Sequence, residues 1–472
     1  MKRWRYKKKQ SVKRDMCILT LLVAFASQSL IGQSRFSEQQ LVEDLIFYRS
    51  KLEQYHPNLY IYTSKEKMNH FFDSLTRSID KPLDEAEFYQ KITLTSALVK
   101  DGHTLILPSN SFVGHHNSNS KFIPLQIGLY EDQLYVKMNC TPSIVIEDGT
   151  IIDSINGISA GEIIEELSNR QVRDGNNLSY SNWILDTYFR EYYSYTFGHP
   201  EVYMISYKKD EVLQTLQMPA LVKDSVYHYR QSNYPEIYSN NTPSKGVYLD
   251  YDSSRTIAIL TIKDFHSEVL KSEYRQNFRK EIRSIFERIF LAQPRNLVID
   301  LRNNQGGDVE NGVLLLSYLI NRPFKIVEEY NRVKKGRLVK CKGPSPGFHK
   351  PDKNQFMGQI YVMLNGGSFS NSAIVSSCLR ENTNAIFVGT ETGGNPNVLA
   401  GYAKEFELPN TKIKVEIPTK QFIMTSLMKN DGSGLIPTHE IDPDIQDNIH
   451  RNDRQLAFVM RLIKENENIL KR

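Results

Sequence analysis

The chain has 472 residues, 40% of them hydrophobic and 24% charged, with a formal net charge of +5. Its length gives two or three domains around at least one sizeable core. Residues 1–32 hold eight Lys/Arg against one Asp, so the remainder sits at about −2; without a global basic field, no nucleic-acid partner is expected.

In chain order, Met1 to Arg14 is strongly basic, and Met16 to Ala26 is a short apolar run that leads into small and polar residues. This is the pattern of a secretory signal peptide over 1–32, cleaved near Gly32 or Gln33. The run is short for a membrane span of roughly 20 residues. The mature chain is therefore expected to be periplasmic or secreted, with no stable membrane span. Cys17, Cys140, Cys341 and Cys378 are too sparse for a disulfide framework and lack zinc spacing, although an oxidising compartment would permit one bridge.

Residues 33–107 have the pattern of a helical domain. Ser37 with Gln40 forms a capping-box signal, and Leu41, Leu45, Ile46 and Leu52 fall on one helical face. His56-Pro57 ends that helix; a second covers about Ser64 to Ile79 and a third Leu83 to Val99. The segment closes in Lys100-Asp101-Gly102-His103-Thr104 before an apolar strand, Leu105 to Leu107. His103 lies on a glycine turn, where a side chain can be aimed into a cleft. His115-His116, in a Ser/Asn-rich stretch, is expected to be solvated surface.

Residues 121–215 show short strand signals at Phe122 to Leu129, Gln133 to Met138 and Thr150 to Ile155, then a helix from Gly161 to Arg170. The aromatic-rich stretch Ser181 to Tyr195 is expected to pack in a core or between domains. Pro219 to Lys245 is polar and Tyr/Ser/Asn-rich, the composition of a linker or a surface excursion. Within 246–450, strands are expected at Gly246 to Leu249 and Thr256 to Ile262, with one long amphipathic helix from Glu268 to Ala292. Arg295 to Asp308 then gives a buried strand and a Gly-Gly turn, followed by an apolar helix from Val309 to Ile320. Ile360 to Leu364, Asn365-Gly366-Gly367, a serine cluster, a helix and Ala385 to Val388 make a βαβ unit. A hairpin spans Tyr402 to Ile417, and 451–472 forms a terminal helix.

A serine at the mouth of a helix meets unpaired backbone N–H groups, the chemistry that a nucleophile and its oxyanion need. Such a serine also serves as a plain N-cap. Three motifs in one order decide for chemistry. Asp300-Leu301-Arg302-Asn303-Asn304-Gln305-Gly306-Gly307, Ser370-Asn371-Ser372 and Val388-Gly389-Thr390-Glu391-Thr392-Gly393-Gly394 resemble the D-L-R-x-N-x-G-G, S-x-S and V-G-x-x-T-x-G motifs of the C-terminal processing (tail-specific) serine peptidases. The resemblance implies an α/β fold: a crotonase-like core of ββα units with the N-terminal helical domain and a PDZ-like β domain, the latter suggested by Ile155-Asn156-Gly157. In that family such a module adds substrate chain ends as a strand.

The resemblance also implies an exported, cofactor-free serine endopeptidase acting on protein or peptide substrates, with Ser370 as nucleophile. Gly306 or Gly307 and Asn371 would supply the oxyanion hole. One departure is plain: where the processing branch carries a lysine base, this chain has Asn395-Pro396, and no lysine occurs between Arg380 and Lys404. The D-G-H-T motif resembles the one that supplies histidine in the tricorn-like branch, so His103 is the expected base; an imidazole of ordinary pKa can do this near neutral pH. Glu391 and Glu440 are candidate acids to orient it, and Asp101 is close in sequence. The alternative is a catalytically inactive peptide- or ligand-binding protein on the same scaffold. The segment Gly434-Leu435-Ile436-Pro437-Thr438 resembles the family's closing stretch, with Thr438 where an aspartate is usual.

Overall fold

The computed structural model describes residues 35–238, 245–427 and 432–470. The expected signal peptide lies outside the described residues.

The core is a six-stranded sheet in the order Val247–Tyr251, Ile257–Ile262, Asn296–Asp300, Gln359–Leu364, Ile386–Gly389, His439–Glu440. The first pair is antiparallel and every later pair parallel. Strands buried on both faces explain the continuous apolar runs at 297–299 and 360–364. The helices Phe278–Ala292, Val309–Ser317 and Asn371–Asn382 cover one face. The terminal helix Arg454–Leu470 covers the other, through Val459 and Ile463. Arg302 ties that helix down: its guanidinium reaches Asp300 at 2.6 Å and Asp453 at 2.7 Å, and this double pairing raises its pKa further.

Two expectations need correction. The long helix at 268–292 is two helices, Ser267–Glu273 and Phe278–Ala292. Arg275 between them has φ +55°, and Gln276 Oε1 leaves the helical path to accept the amides of Gly246 and Val247 at 2.7 and 3.0 Å. The stretch 219–245 is not a simple linker. It contains the helix Lys223–Asn233 and a short turn, Pro235–Tyr238, seated by Tyr234, whose hydroxyl accepts from the Asn139 amide and donates to Asp148, both at 2.8 Å.

The helical segment does not close a core of its own. Leu41, Leu45, Leu52, Phe72, Phe88 and Ile92 pack with Leu408, Ile413, Val415 and Ile417 from the far end of the chain. Those residues belong to the hairpin Val398–Glu407 and Lys414–Met424, and the strand Leu105–Leu107 pairs with its second arm. The capping box at Ser37 and Gln40 is formed.

The β module is a sheet in the order Leu125–Tyr130, Gln133–Asn139, Ile151–Ile155, Val202–Lys209, Val212–Pro219. The aromatic-rich stretch is a helix, Ser179–Phe197, laid along the first strand. Its side chains occupy that strand's outer edge. Arg190 donates to the carbonyls of Ile123 (3.1 Å) and Leu125 (2.8 Å), and Asp186 Oδ1 accepts the Leu129 amide at 2.9 Å. An added peptide strand would need those same backbone groups.

His116 is also corrected. It is buried, on the helix Asn110–Asn119 that Ser109 caps, and its Nδ1 sits 3.0 Å from His199 Nε2. The Ser/Asn composition reflects the helix's exposed side. The cysteines Cys140, Cys341 and Cys378 are free. Among the described residues no helix is long and apolar enough to cross a membrane.

Candidate active site

Ser370 is the residue before the helix Asn371–Asn382, and its backbone sits at φ +49°, ψ −117°, a region that L-residues rarely adopt. Strain of this kind costs of order 1–3 kcal/mol and persists where the surroundings over-determine it. Here they do. Ser368 Oγ donates to the Leu301 carbonyl at 2.8 Å, Ser372 Oγ to the Asn304 carbonyl at 2.7 Å, and the Phe369 amide to Asn304 at 3.0 Å. The flanking serines of the cluster thus stitch the two βαβ units together, and the partly exposed Ser370 is left at the crest between them.

His103, 267 positions away in sequence, meets it: His103 Nε2 lies 3.0 Å from Ser370 Oγ. The glycine turn carrying the ring is braced from within. Asp101 Oδ1 accepts the His103 amide at 2.9 Å and the Thr104 hydroxyl at 3.2 Å. Behind it, the Asn58 amide donates to His56 Nδ1 at 3.0 Å, which puts the His56 proton on Nε2, facing Thr104 Oγ1 at 3.0 Å. Burial lowers the His56 pKa and holds that ring neutral.

An aromatic stack supports the His103 ring. It packs on Phe369 at 4.7 Å; Phe369 stacks on Tyr180 at 4.0 Å and 3°, and Tyr180 on Trp183 at 5.9 Å. Trp183 Nε1 donates to Asn303 Oδ1 at 2.7 Å, joining the stack to the Gly-Gly turn. Beyond it, Trp183, Asn303, Gln305 and Gly366 line a cavity of about 1280 Å³ between the β module and the core. Neither Ser370 nor His103 lines that cavity.

The two glycines differ. Gly306 has φ +98°, and a Cβ there would stand 2.7 Å from both Ser370 Cβ and the Asn371 nitrogen. Its amide already donates to Asn304 Oδ1 at 2.9 Å. Gly307 has φ +131° and faces backwards, where a Cβ would meet the His266 nitrogen at 2.3 Å. Among the described residues the amides of Gly307 and Asn371 donate to no acceptor.

The candidate acids are placed elsewhere. Glu391 accepts from Ser179 Oγ at 2.9 Å and from the Gly434 amide at 2.7 Å, which fastens the closing segment. Glu440 is exposed on the edge strand His439–Glu440. Neither has a hydrogen bond or ion pair to His103. Asn395 is buried, with Nδ2 on the Tyr62 hydroxyl at 2.6 Å and Oδ1 accepting the Asn397 amide at 2.8 Å.

The sequence reading missed Asp174, which is buried in the turn ahead of the Ser179–Phe197 helix and accepts the amides of Gly102 (2.8 Å) and Asn395 (3.1 Å). In sequence, Asp174-Gly175-Asn176 has only the signature of a turn. Burial pushes its carboxyl up to about 6, against the pull of His103.

Residues 256–446 match the model of Peptidase family S41. Among solved structures, mature CPAF is 13% identical, with a TM-score of 0.65 over 91% of this chain and 97% of that one. Mature CPAF complexed with lactacystin is 15% identical, with a TM-score of 0.66 over 91% and 98%. At such identities the likeness is one of fold. No curated protein matches the chain. The segment 256–446, which holds the Gly-Gly turn, the strained serine and the closing segment, is therefore a domain of the Peptidase family S41 type.

Proposed function

We propose that the protein is an exported serine peptidase in which Ser370 is the nucleophile and His103 its base. The observation that carries this reading is the 3.0 Å approach of His103 Nε2 to Ser370 Oγ, made by residues 267 positions apart. A serine hydroxyl is almost un-ionised near neutral pH and needs such a base within hydrogen-bond reach. Oγ attacks the scissile carbonyl carbon while its proton passes to Nε2. The tetrahedral oxyanion is received by the amides of Asn371 and Gly307, which have no acceptor among the described residues. Gly306, rather than donating, leaves room for the substrate carbonyl beside Ser370. The C–N bond then breaks as Nε2 returns its proton to the leaving amine, and water repeats the sequence on the acyl-enzyme.

Asn395 takes no part as a base, since an amide accepts no proton at useful pH. Its side chain is consumed by Tyr62 and Asn397. Export is proposed from the basic leader and short apolar run; N-terminal sequencing of the native protein tests it, and retention of Met16 to Ala26 would end it.

A fluorophosphonate tests the chemistry. Wild type is expected to be labelled at Ser370, identified by peptide mapping, and Ser370→Ala to be silent. His103→Ala should lose roughly 10²–10⁴-fold in labelling rate while remaining folded, and Asn395→Ala far less. Full labelling of His103→Ala would remove the histidine, and an unlabelled wild type would favour the binding-protein reading.

A further inference from the structure

Among the described residues, His103 has no hydrogen-bonded acid. His103 Nδ1 is buried and has no hydrogen-bond partner, and the two glutamates expected to serve it are occupied or exposed. An imidazole that takes a proton in a partly buried site, with its Nδ1 shut off from water, still needs a counter-charge. Two buried carboxylates stand near enough: a ring nitrogen of His103 and one oxygen each from Asp101 and Asp174 all lie within 4.8 Å of one another.

The two are not equivalent. Asp101 is consumed by its own turn, with Oδ1 on the His103 amide and Thr104 hydroxyl and Oδ2 facing His56 Nε2 at 3.7 Å. Asp174 reaches in from a different element. Its two oxygens bridge the amide of Gly102, beside the base, and that of Asn395, in the loop behind the nucleophile. That loop backs on the nucleophile closely: a Cβ on Gly394 would stand 2.8 Å from the Ser370 nitrogen.

From this bridging geometry we infer that Asp174 is the positioning residue of the site, holding the His103 turn against the nucleophile loop and supplying the negative charge that balances the His103 imidazolium. The inference rests on the serine-peptidase reading for its role in turnover, but the coupling of Asp174 to His103 is a property of the fold alone. The ionisable groups facing Asp174 are Asp101 and His103 on the glycine turn, Tyr180 on the adjoining helix, and Tyr62 by way of Asn395. Of these only His103 can bring a positive charge.

Two measurements test it. In the first, Asp174→Asn is compared with wild type in fluorophosphonate labelling rate and in thermal melting. The amide replaces one acceptor with a donor facing the Asn395 N–H, so a modest loss of melting temperature is expected. Labelling should fall roughly 10²–10⁴-fold, well beyond what the melting change explains. Labelling within about threefold of wild type would overturn the inference.

In the second, the Asp174 carboxyl carbon is followed by NMR through a pH titration, in wild type and in His103→Gln. Removing the ring should move the Asp174 midpoint upward, because the charge that favours its ionised form is gone. An unchanged midpoint overturns the pairing. This arm needs no activity: if wild-type Ser370 proves unreactive, the peptidase reading fails while the titration still decides whether Asp174 answers to His103.

Discussion

Gly306 and Gly307 are adjacent in sequence and both lie at positive φ, yet they guard different things. The Gly306 side-chain direction points at Ser370 and Asn371, whereas that of Gly307 points at the backbone of Phe265 and His266. Alanine at either position pays roughly 1–2 kcal/mol for its left-handed backbone. Beyond that shared cost, a Cβ on Gly306 would also crowd the Asn371 nitrogen at 2.7 Å and the Phe369 carbonyl oxygen at 2.8 Å, so Gly306→Ala should abolish Ser370 labelling as well as lower the melting temperature. Gly307→Ala should chiefly lower the melting temperature, because the clash falls on backbone that cannot rotate away. Measuring labelling and melting for both variants checks this, and equal profiles would show that the two positions do not divide the work. From sequence the pair is a single Gly-Gly turn. Which glycine faces the serine depends on how the strand Asn296–Asp300 delivers it, and that is tertiary information. The same holds for Asp174: its partners are backbone amides 72 and 221 positions away, and no local pattern marks them.

At the level of elements, the serine helix, the Gly-Gly turn and the parallel strands were legible because each pairs an apolar run with glycine punctuation. His116 was not, because its helix shows solvent mostly Ser, Asn and Gly. Burial, with His199 beside it, lowers the His116 pKa to about 4. The unfolded chain takes up that proton near pH 6.5 and the native state does not, so the His116 contribution is present above that value and is lost as pH falls towards 4. The total change is about 3 kcal/mol across the window if no other group titrates. Asp174, raised to about 6, works in the opposite sense, gaining stability as pH falls through its own range. Comparing wild type with His116→Phe cancels that background. The variant should lose less stability between pH 6.5 and 4 in denaturant titrations, and parallel curves would show that His116 does not carry the slope. The helix Ser179–Phe197 makes a second claim. Replacing Arg190 with Met strips the Ile123 and Leu125 carbonyls of a charged donor and should cost roughly 2–3 kcal/mol. A loss under 0.5 kcal/mol would mean that water takes over both contacts.

At the scale of the whole molecule, His103 and Ser370 meet across 267 positions of chain. His103 comes at the end of the N-terminal helices and Ser370 from the S41 domain, and the 3.0 Å between them depends on how those parts are joined. The joint is a shared core rather than a docked lid. Leu408, Ile413, Val415 and Ile417 are buried at the fold's back only because the N-terminal helices cover them, and Asp44 accepts the Thr411 amide at 2.8 Å and its hydroxyl at 2.7 Å. A helical domain read from periodicity alone carries no sign of this, since the partner hairpin lies some 300 residues downstream. The hairpin in turn pairs with the strand Leu105–Leu107, which starts directly after the turn that carries His103. The helices, the hairpin and the site are therefore expected to melt together. Calorimetry of the protein should show no separate low-temperature transition for the helical segment, and loss of Ser370 labelling should coincide with the main transition. Asp44→Ala, which leaves the Thr411 amide without its acceptor, should lower that transition and the labelling midpoint by the same number of degrees. If the helices melted first, with labelling persisting above their transition, the base could not come from His103.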